Sequence, residues 1–132
     1  MPPPEPPAPT RVLLVDDDEW VGFSTQPLLE ELGYEVDWVL GGRQALERFA
    51  PGRYAFVLVD YRLNGMNGVE LLRHLLGRDA EVKAILCTGM PRTFVDETVF
   101  NEGAVGFLDK PWPLEDLLRQ VAFIGAEPPP RG

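Results

Sequence analysis

Two adjacent carboxylates, Asp16 and Asp17, follow the apolar run Val12-Leu13-Leu14-Val15, and a third, Asp60, follows Ala55-Phe56-Val57-Leu58-Val59. If these runs are strands of a parallel sheet, their carboxyl ends open into one crevice, where open α/β folds place their ligands. Carboxylates gathered there repel one another and raise one another's pKa unless a cation joins them. Thr88 closes a third apolar run and Lys110-Pro111 closes a fourth, which brings a hydroxyl and an ammonium to the same rim. An all-oxygen, open-mouthed set suits magnesium, which keeps waters and phosphate oxygens in its shell, better than calcium with its fuller cage. Manganese is a possible substitute. With the ion in place a carboxylate can attack phosphorus and become an acyl phosphate.

Asp60 is the expected nucleophile. It stands alone at a strand end, and the turn-rich segment 62–68 after it carries glycines that let a backbone carbonyl approach the metal. Asp16 and Asp17 leave a strand as neighbours and are expected to point differently, one touching the metal directly and the other through water. Lys110 is placed to pair with phosphoryl oxygens and Thr88 to donate a hydrogen bond to another, the alignment and charge neutralisation that phosphoryl transfer requires. The Lys110-Pro111 bond is a candidate for the cis isomer. Each residue alone has a plainer use: an aspartate as helix N-cap or turn residue, a threonine as a strand end, a lysine as a solvated charge. Their joint placement at four run ends points to a phosphoryl-acceptor site.

These side chains converge only if the intervening segments are arranged as strands and covering helices. Strands are read at residues 11–15, 34–39, 55–59, 82–87 and 105–108, with helical segments between and after them, the pattern of a parallel sheet covered on both faces. Leu114, Leu117, Leu118, Val121 and Ala122 mark one buried helical stripe, and Leu71, Leu72, Leu75 and Leu76 another. Gly33 is expected to end the first helix in a left-handed conformation, the helix itself starting near Asp18 or Glu19. Pro27 then requires that helix to bend or to start late.

The chain has 132 residues, enough for one domain. Of its 14 prolines nine lie in the two ends, so the expected organisation is a proline-rich tail over residues 1–9, a folded domain over 10–125 and a second proline-rich tail over 126–132. Such tails serve as linkers or as ligands of SH3-type domains. A net charge of −9 without a basic stripe argues against direct nucleic-acid binding. Cys87, the only cysteine, excludes an internal disulfide and fits a reducing compartment. No apolar stretch is long enough to span a bilayer, and the expected location is the cytoplasm, without membrane insertion.

Val15-Asp16-Asp17, the run from Asp60 to Gly68, Thr88-Gly89, Gly103-Ala104 and Lys110-Pro111-Trp112 together resemble the receiver domain of two-component response regulators, from Arg11 to about Gly125. The resemblance implies a flavodoxin-like doubly wound (βα)5 fold with a five-stranded parallel sheet of order 2-1-3-4-5. It implies Asp60 as phosphoacceptor, Asp16 and Asp17 as magnesium acids with the Arg62 carbonyl as a further ligand, and Thr88 and Lys110 as phosphate contacts. A sensor histidine kinase or a histidine phosphotransfer protein would donate the phosphoryl group from a phosphohistidine. The domain would catalyse its own phosphorylation and slow dephosphorylation, without being a conventional turnover enzyme. Thr88 and Phe107 match the switch pair of such domains, although Phe107 lacks the usual tyrosine hydroxyl. Asn64 replaces the customary proline of the acceptor loop, Gly89 the customary alanine, and Arg62 and Met90 hold positions that tune acyl-phosphate lifetime. A homodimer through the fourth helical segment, the fifth strand and the last helix is a candidate, with Phe94 and Phe100 as possible contacts.

The alternatives come from other classes. A pseudo-receiver would use the fold for binding without phosphorylation. A phosphohydrolase would need an Asp-x-Asp nucleophile after the first strand, where this chain has Asp16-Asp17-Asp18, and a flavin phosphate would be repelled by the same acids. Trp20 is placed to line the mouth of the site or to be a partly buried helix aromatic, and His74 to be a surface residue beside the leucines.

Overall fold

A computed structural model of the chain describes residues 9–63, 65–89 and 106–126. In chain order the elements are β1 (Arg11–Val15), α1 (Glu19–Glu31), β2 (Glu35–Val39), α2 (Gly42–Arg48), β3 (Phe56–Asp60), α3 (Gly68–Arg78), β4 (Ala84–Thr88), β5 (Gly106–Asp109) and α4 (Leu114–Phe123). The five strands are all parallel and lie in the order β2-β1-β3-β4-β5. This is the flavodoxin-like arrangement that the sequence implied.

Alternation along the central strands divides the interior into two layers. Leu13, Val15, Val57, Val59, Leu86 and Phe107 face Ala45 and Phe49 of the α2 region and Leu71, Leu72 and Leu75 of α3. Val12, Leu14, Phe56, Leu58, Ile85, Cys87 and Leu108 face Leu29 of α1 and Leu117 and Val121 of α4. Both faces are covered, so β3 and β4 are buried at every position and read as continuous apolar runs. The edge strand β2 is instead half exposed and carries charge: Arg11 pairs with Glu35 at 2.6 Å and with Asp37 at 2.9 Å. Charges of this kind discourage further strand pairing.

α1 is capped at both ends by its own sequence. The Asp18 side chain accepts the Trp20 N–H at 2.9 Å. Gly33, at φ 100°, closes the helix, its N–H donating to the Glu30 carbonyl and the Tyr34 N–H to the Leu29 carbonyl, both at 3.0 Å. That pair of bonds with Leu29 packed beside Tyr34 is a Schellman closure. The helix passes through Pro27, which removes the late-starting option.

Two expectations change. The stripe on α4 is narrower than the leucine spacing suggests: Leu117 and Val121 are buried, whereas Leu114 and Leu118 stay 38% and 39% exposed and Ala122 is exposed. Packing also reaches one residue past the expected domain end, because Ala126 is buried and its carbonyl accepts the Tyr34 hydroxyl at 2.7 Å. Expectations for the tails, Asn64, Met90, the helical segment with Phe94 and Phe100, Gly103-Ala104 and Val105 lie outside the described residues. Among the described residues no helix is long and apolar enough to cross a membrane.

Candidate functional site

Register places the chemistry. Val15 stands level with Val59, Asp60 with Cys87, and Thr88 with Asp109, so β1, β3, β4 and β5 end at one rim. Asp60 and Thr88 are the last residues of their strands rather than the residues just beyond them. Asp16, Asp17 and Asp60 each offer a carboxylate oxygen, and these oxygens lie within 4.8 Å of one another. Asp16 and Asp60 are buried; Asp17 is half-buried. N-capping of α1 falls to Asp18, which leaves both preceding acids to the cluster.

Lys110 joins the group from the end of β5. Its Nζ lies 2.7 Å from Asp16 Oδ2 and 3.3 Å from Asp60 Oδ1. The Asp16 Oδ1 atom accepts the Asp18 N–H at 2.9 Å. The backbone leading to the ammonium is held by the Lys110 N–H, which donates to the Thr88 carbonyl at 2.7 Å. The Lys110-Pro111 peptide is cis.

The electrostatics follow from this packing. Burial pushes the Asp60 carboxyl up to about 6, and the neighbouring Asp16 charge adds to the rise; Lys110 and the Arg62 backbone N–H oppose it. Burial disfavours the Lys110 ammonium, but the hydrogen bond and charge of Asp16, with Asp60 behind it, outweigh that effect and hold its pKa above the ordinary lysine value. The site therefore favours a permanently charged lysine beside a carboxylate that accepts a proton unusually readily.

The loop after Asp60 is tied closely to the strand. The Tyr61 N–H donates to the Cys87 carbonyl at 2.7 Å, and the Gly68 N–H to the Tyr61 carbonyl at 2.8 Å. A Cβ at residue 68 would lie 2.6 Å from the Asp60 carbonyl oxygen and 3.0 Å from Tyr61 Cα, so only glycine permits α3 to start this near Asp60. Asn67 caps α3 by accepting the Glu70 N–H at 2.9 Å. Gly65, at φ 81°, makes the turn between them.

In front of Asp60 lies a cleft of about 330 Å³ lined by Asp60, Arg62, Thr88, Gly89 and Lys110. Thr88 borders it while almost fully buried, and Phe107 is buried in the core beneath. Trp20 is 83% exposed near the start of α1, which rules out the partly buried option; His74 is exposed on α3. Trp38, on β2, was not singled out by sequence reasoning, yet its indole Nε1–H donates to the Asp16 carbonyl at 2.9 Å. The sequence signal was only an aromatic near a strand end, 22 residues from Asp16.

The donor set fits magnesium. Three carboxylate oxygens within 4.8 Å of one another beside an open cleft form a hard, all-oxygen set with room for the waters and phosphate oxygens that Mg²⁺ keeps in its shell. No histidine or thiolate joins the cluster among the described residues, as a hard cation prefers.

Comparison with known proteins gives a consistent result. The response regulator receiver domain family matches residues 12–122. The uncharacterized transcriptional regulatory protein YkoG of Bacillus subtilis is 34% identical over 111 residues, which cover 84% of this chain and 49% of that protein. The chain thus spans about half the length of this curated relative. A CheY-like response regulator receiver domain protein from Methanospirillum hungatei superposes with a TM-score of 0.77 at 32% identity, covering 86% of this chain and 91% of that one. The receiver domain of the sensor histidine kinase PA1611 from Pseudomonas aeruginosa, solved with a magnesium ion coordinated in its active-site cleft, gives 0.75 at 29% identity over 89% and 99% of the two chains.

Proposed function

The chain belongs to the response regulator receiver domain family, and from that premise we propose that it is a phosphorylated signalling switch whose acceptor is Asp60. The donor is a phosphohistidine on a sensor histidine kinase or a histidine phosphotransfer protein. A carboxylate oxygen of Asp60 forms the new O–P bond as the imidazole N–P bond breaks, and the histidine departs with the electron pair. The observation that carries this reading is the convergence of three carboxylates on one ammonium: oxygens of Asp16, Asp17 and Asp60 within 4.8 Å, and Lys110 at 2.7 and 3.3 Å from two of them.

Asp16, Asp17 and Asp60, with the Arg62 carbonyl, would hold Mg²⁺, which when bound supplies the positive charge that allows an anionic carboxylate to meet an anionic phosphoryl group. Lys110 holds a phosphoryl oxygen by turning from Asp60 towards the cleft. Thr88 donates to another oxygen, and because its side chain is almost fully buried it has to move outwards to do so. That movement frees space over the β4–β5 region, where the buried Phe107 side chain responds. The new dianionic group has to favour the active arrangement by several kcal/mol, about 5.5 for a shift from 1:99 to 99:1.

Incubation with acetyl phosphate and Mg²⁺, read by intact mass, tests the proposal. Wild type should gain the mass of one phosphoryl group and Asp60→Ala should gain none. An unchanged wild-type mass would instead assign the chain to protein binding through the same fold without phosphorylation.

A further inference from the structure

Every polar group of Asp16 already has a partner, and two of the four bonds lead away from the site to β2. Its side chain accepts from the Asp18 N–H and from Lys110 Nζ. Its backbone N–H donates to the Val39 carbonyl at 3.1 Å, and its carbonyl accepts the Trp38 indole N–H at 2.9 Å. The carbonyl belongs to the peptide between Asp16 and Asp17, so its orientation sets the directions in which the two acids leave the backbone.

Trp38 pairs in register with Leu14, two residues before Asp16, and its ring reaches forward beyond the end of β1. The seat for that ring is built into α1. A Cβ at residue 22 would stand 2.1 to 2.5 Å from the six-membered part of the indole, so Gly22 is an absent side chain whose space Trp38 occupies. Phe23 closes the outer side, edge to face, with ring centroids 5.3 Å apart at 73°. An indole used only for packing needs no aligned donor. This one is confined by a glycine and an aromatic so that its single N–H meets one particular carbonyl.

We propose that Trp38 is a positioning residue for the cation site: its indole N–H, held by Gly22 and Phe23, fixes the Asp16–Asp17 peptide so that both carboxylates face Asp60 before any ion arrives. The carboxylates repel one another when the ion is absent, and the bond to Trp38 opposes the twist by which Asp17 would turn away. The inference rests on the magnesium-dependent phosphoacceptor reading. It adds a residue that touches neither metal nor phosphoryl group.

The test is Mg²⁺ titration by calorimetry on the full chain, comparing wild type with Trp38→Phe and with a protein carrying benzothienylalanine at position 38, which keeps the bicyclic shape and lacks the N–H. Both variants should bind Mg²⁺ about three- to tenfold more weakly, the loss expected for one hydrogen bond. The benzothienyl protein should stay folded in chelator with a melting temperature only modestly below wild type, as loss of one hydrogen bond to the buried Asp16 carbonyl requires, whereas a purely packing role would leave the Mg²⁺ affinity of the folded protein unchanged. Wild-type Mg²⁺ affinity in the folded benzothienyl protein overturns the inference, whatever Trp38→Phe does to folding. If wild type itself binds no Mg²⁺, the phosphoacceptor reading fails, and this inference with it.

Discussion

At the scale of single residues, the site is a set of opposed charges held at unequal depth. Asp60 is buried enough to have its pKa raised to about 6, yet it lies 3.3 Å from an ammonium that favours its ionised form. The consequence for stability has a definite sign. The unfolded carboxyl titrates near 3.8, so the folded, metal-free protein holds this proton more tightly than the unfolded chain does; that contribution is complete below pH 4 and is lost as the pH rises through about 6. A magnesium ion held by Asp60 as proposed would act in the opposite direction, since a cation binds the ionised form. Mg²⁺ affinity should therefore fall by about tenfold for each pH unit below 6, and the Mg²⁺-induced rise in melting temperature should be larger at pH 7.5 than at pH 5. Equal rises at both would show that Asp60 is not a ligand. The acids were legible in the sequence because each ends an apolar run. The part played by Trp38 was not, since a half-buried tryptophan on a strand has the same local pattern whether it only packs or also donates to a carbonyl.

At the scale of elements, strand ends and helix starts position the site, and glycine controls how near they come. Gly68 reads in the sequence as one more turn residue of the loop after Asp60. Its consequence is a contact: the first turn of α3 lies against the Asp60 carbonyl, where a Cβ would sit at 2.6 Å. Gly68→Ala should cost about 1–3 kcal/mol of stability, the usual range for overpacking, and should slow phosphorylation by displacing the acceptor. Urea unfolding and the rate of mass gain from acetyl phosphate check the two effects, and a variant unchanged in both would mean that the loop adjusts freely. The strands were read to within two residues because buried parallel strands are continuous apolar runs. On α4 the leucine spacing indicates which residues share a face but not how far cover extends, and only Leu117 and Val121 of that face are buried. Pro27 shows the limit of local rules, since α1 continues through it under the packing of Leu29 and the closure at Gly33.

At the scale of the whole molecule, two apolar layers hold the rim rigid from below while leaving it open above. Cys87 illustrates the first property. It lies within the layer shared by α1 and α4, directly beside Asp60 in register, and burial pushes its thiol well above the ordinary value, with Asp60 and Asp16 adding to the effect and Lys110 opposing it. Alkylation of Cys87 should proceed only through unfolding, with a rate that follows the unfolding equilibrium in urea; rapid labelling of native protein would contradict so closed a core. The open cleft above the rim is where the proposed transfer of a phosphoryl group to Asp60 takes place. The direct measurement of that transfer is reductive trapping: treatment with acetyl phosphate and Mg²⁺, then borohydride, which converts an aspartyl phosphate to homoserine, followed by peptide sequencing by mass spectrometry. Homoserine at position 60, absent when Mg²⁺ is chelated, is the predicted result. Homoserine at another aspartate, or at none, would contradict the assignment of Asp60 as the phosphoryl acceptor.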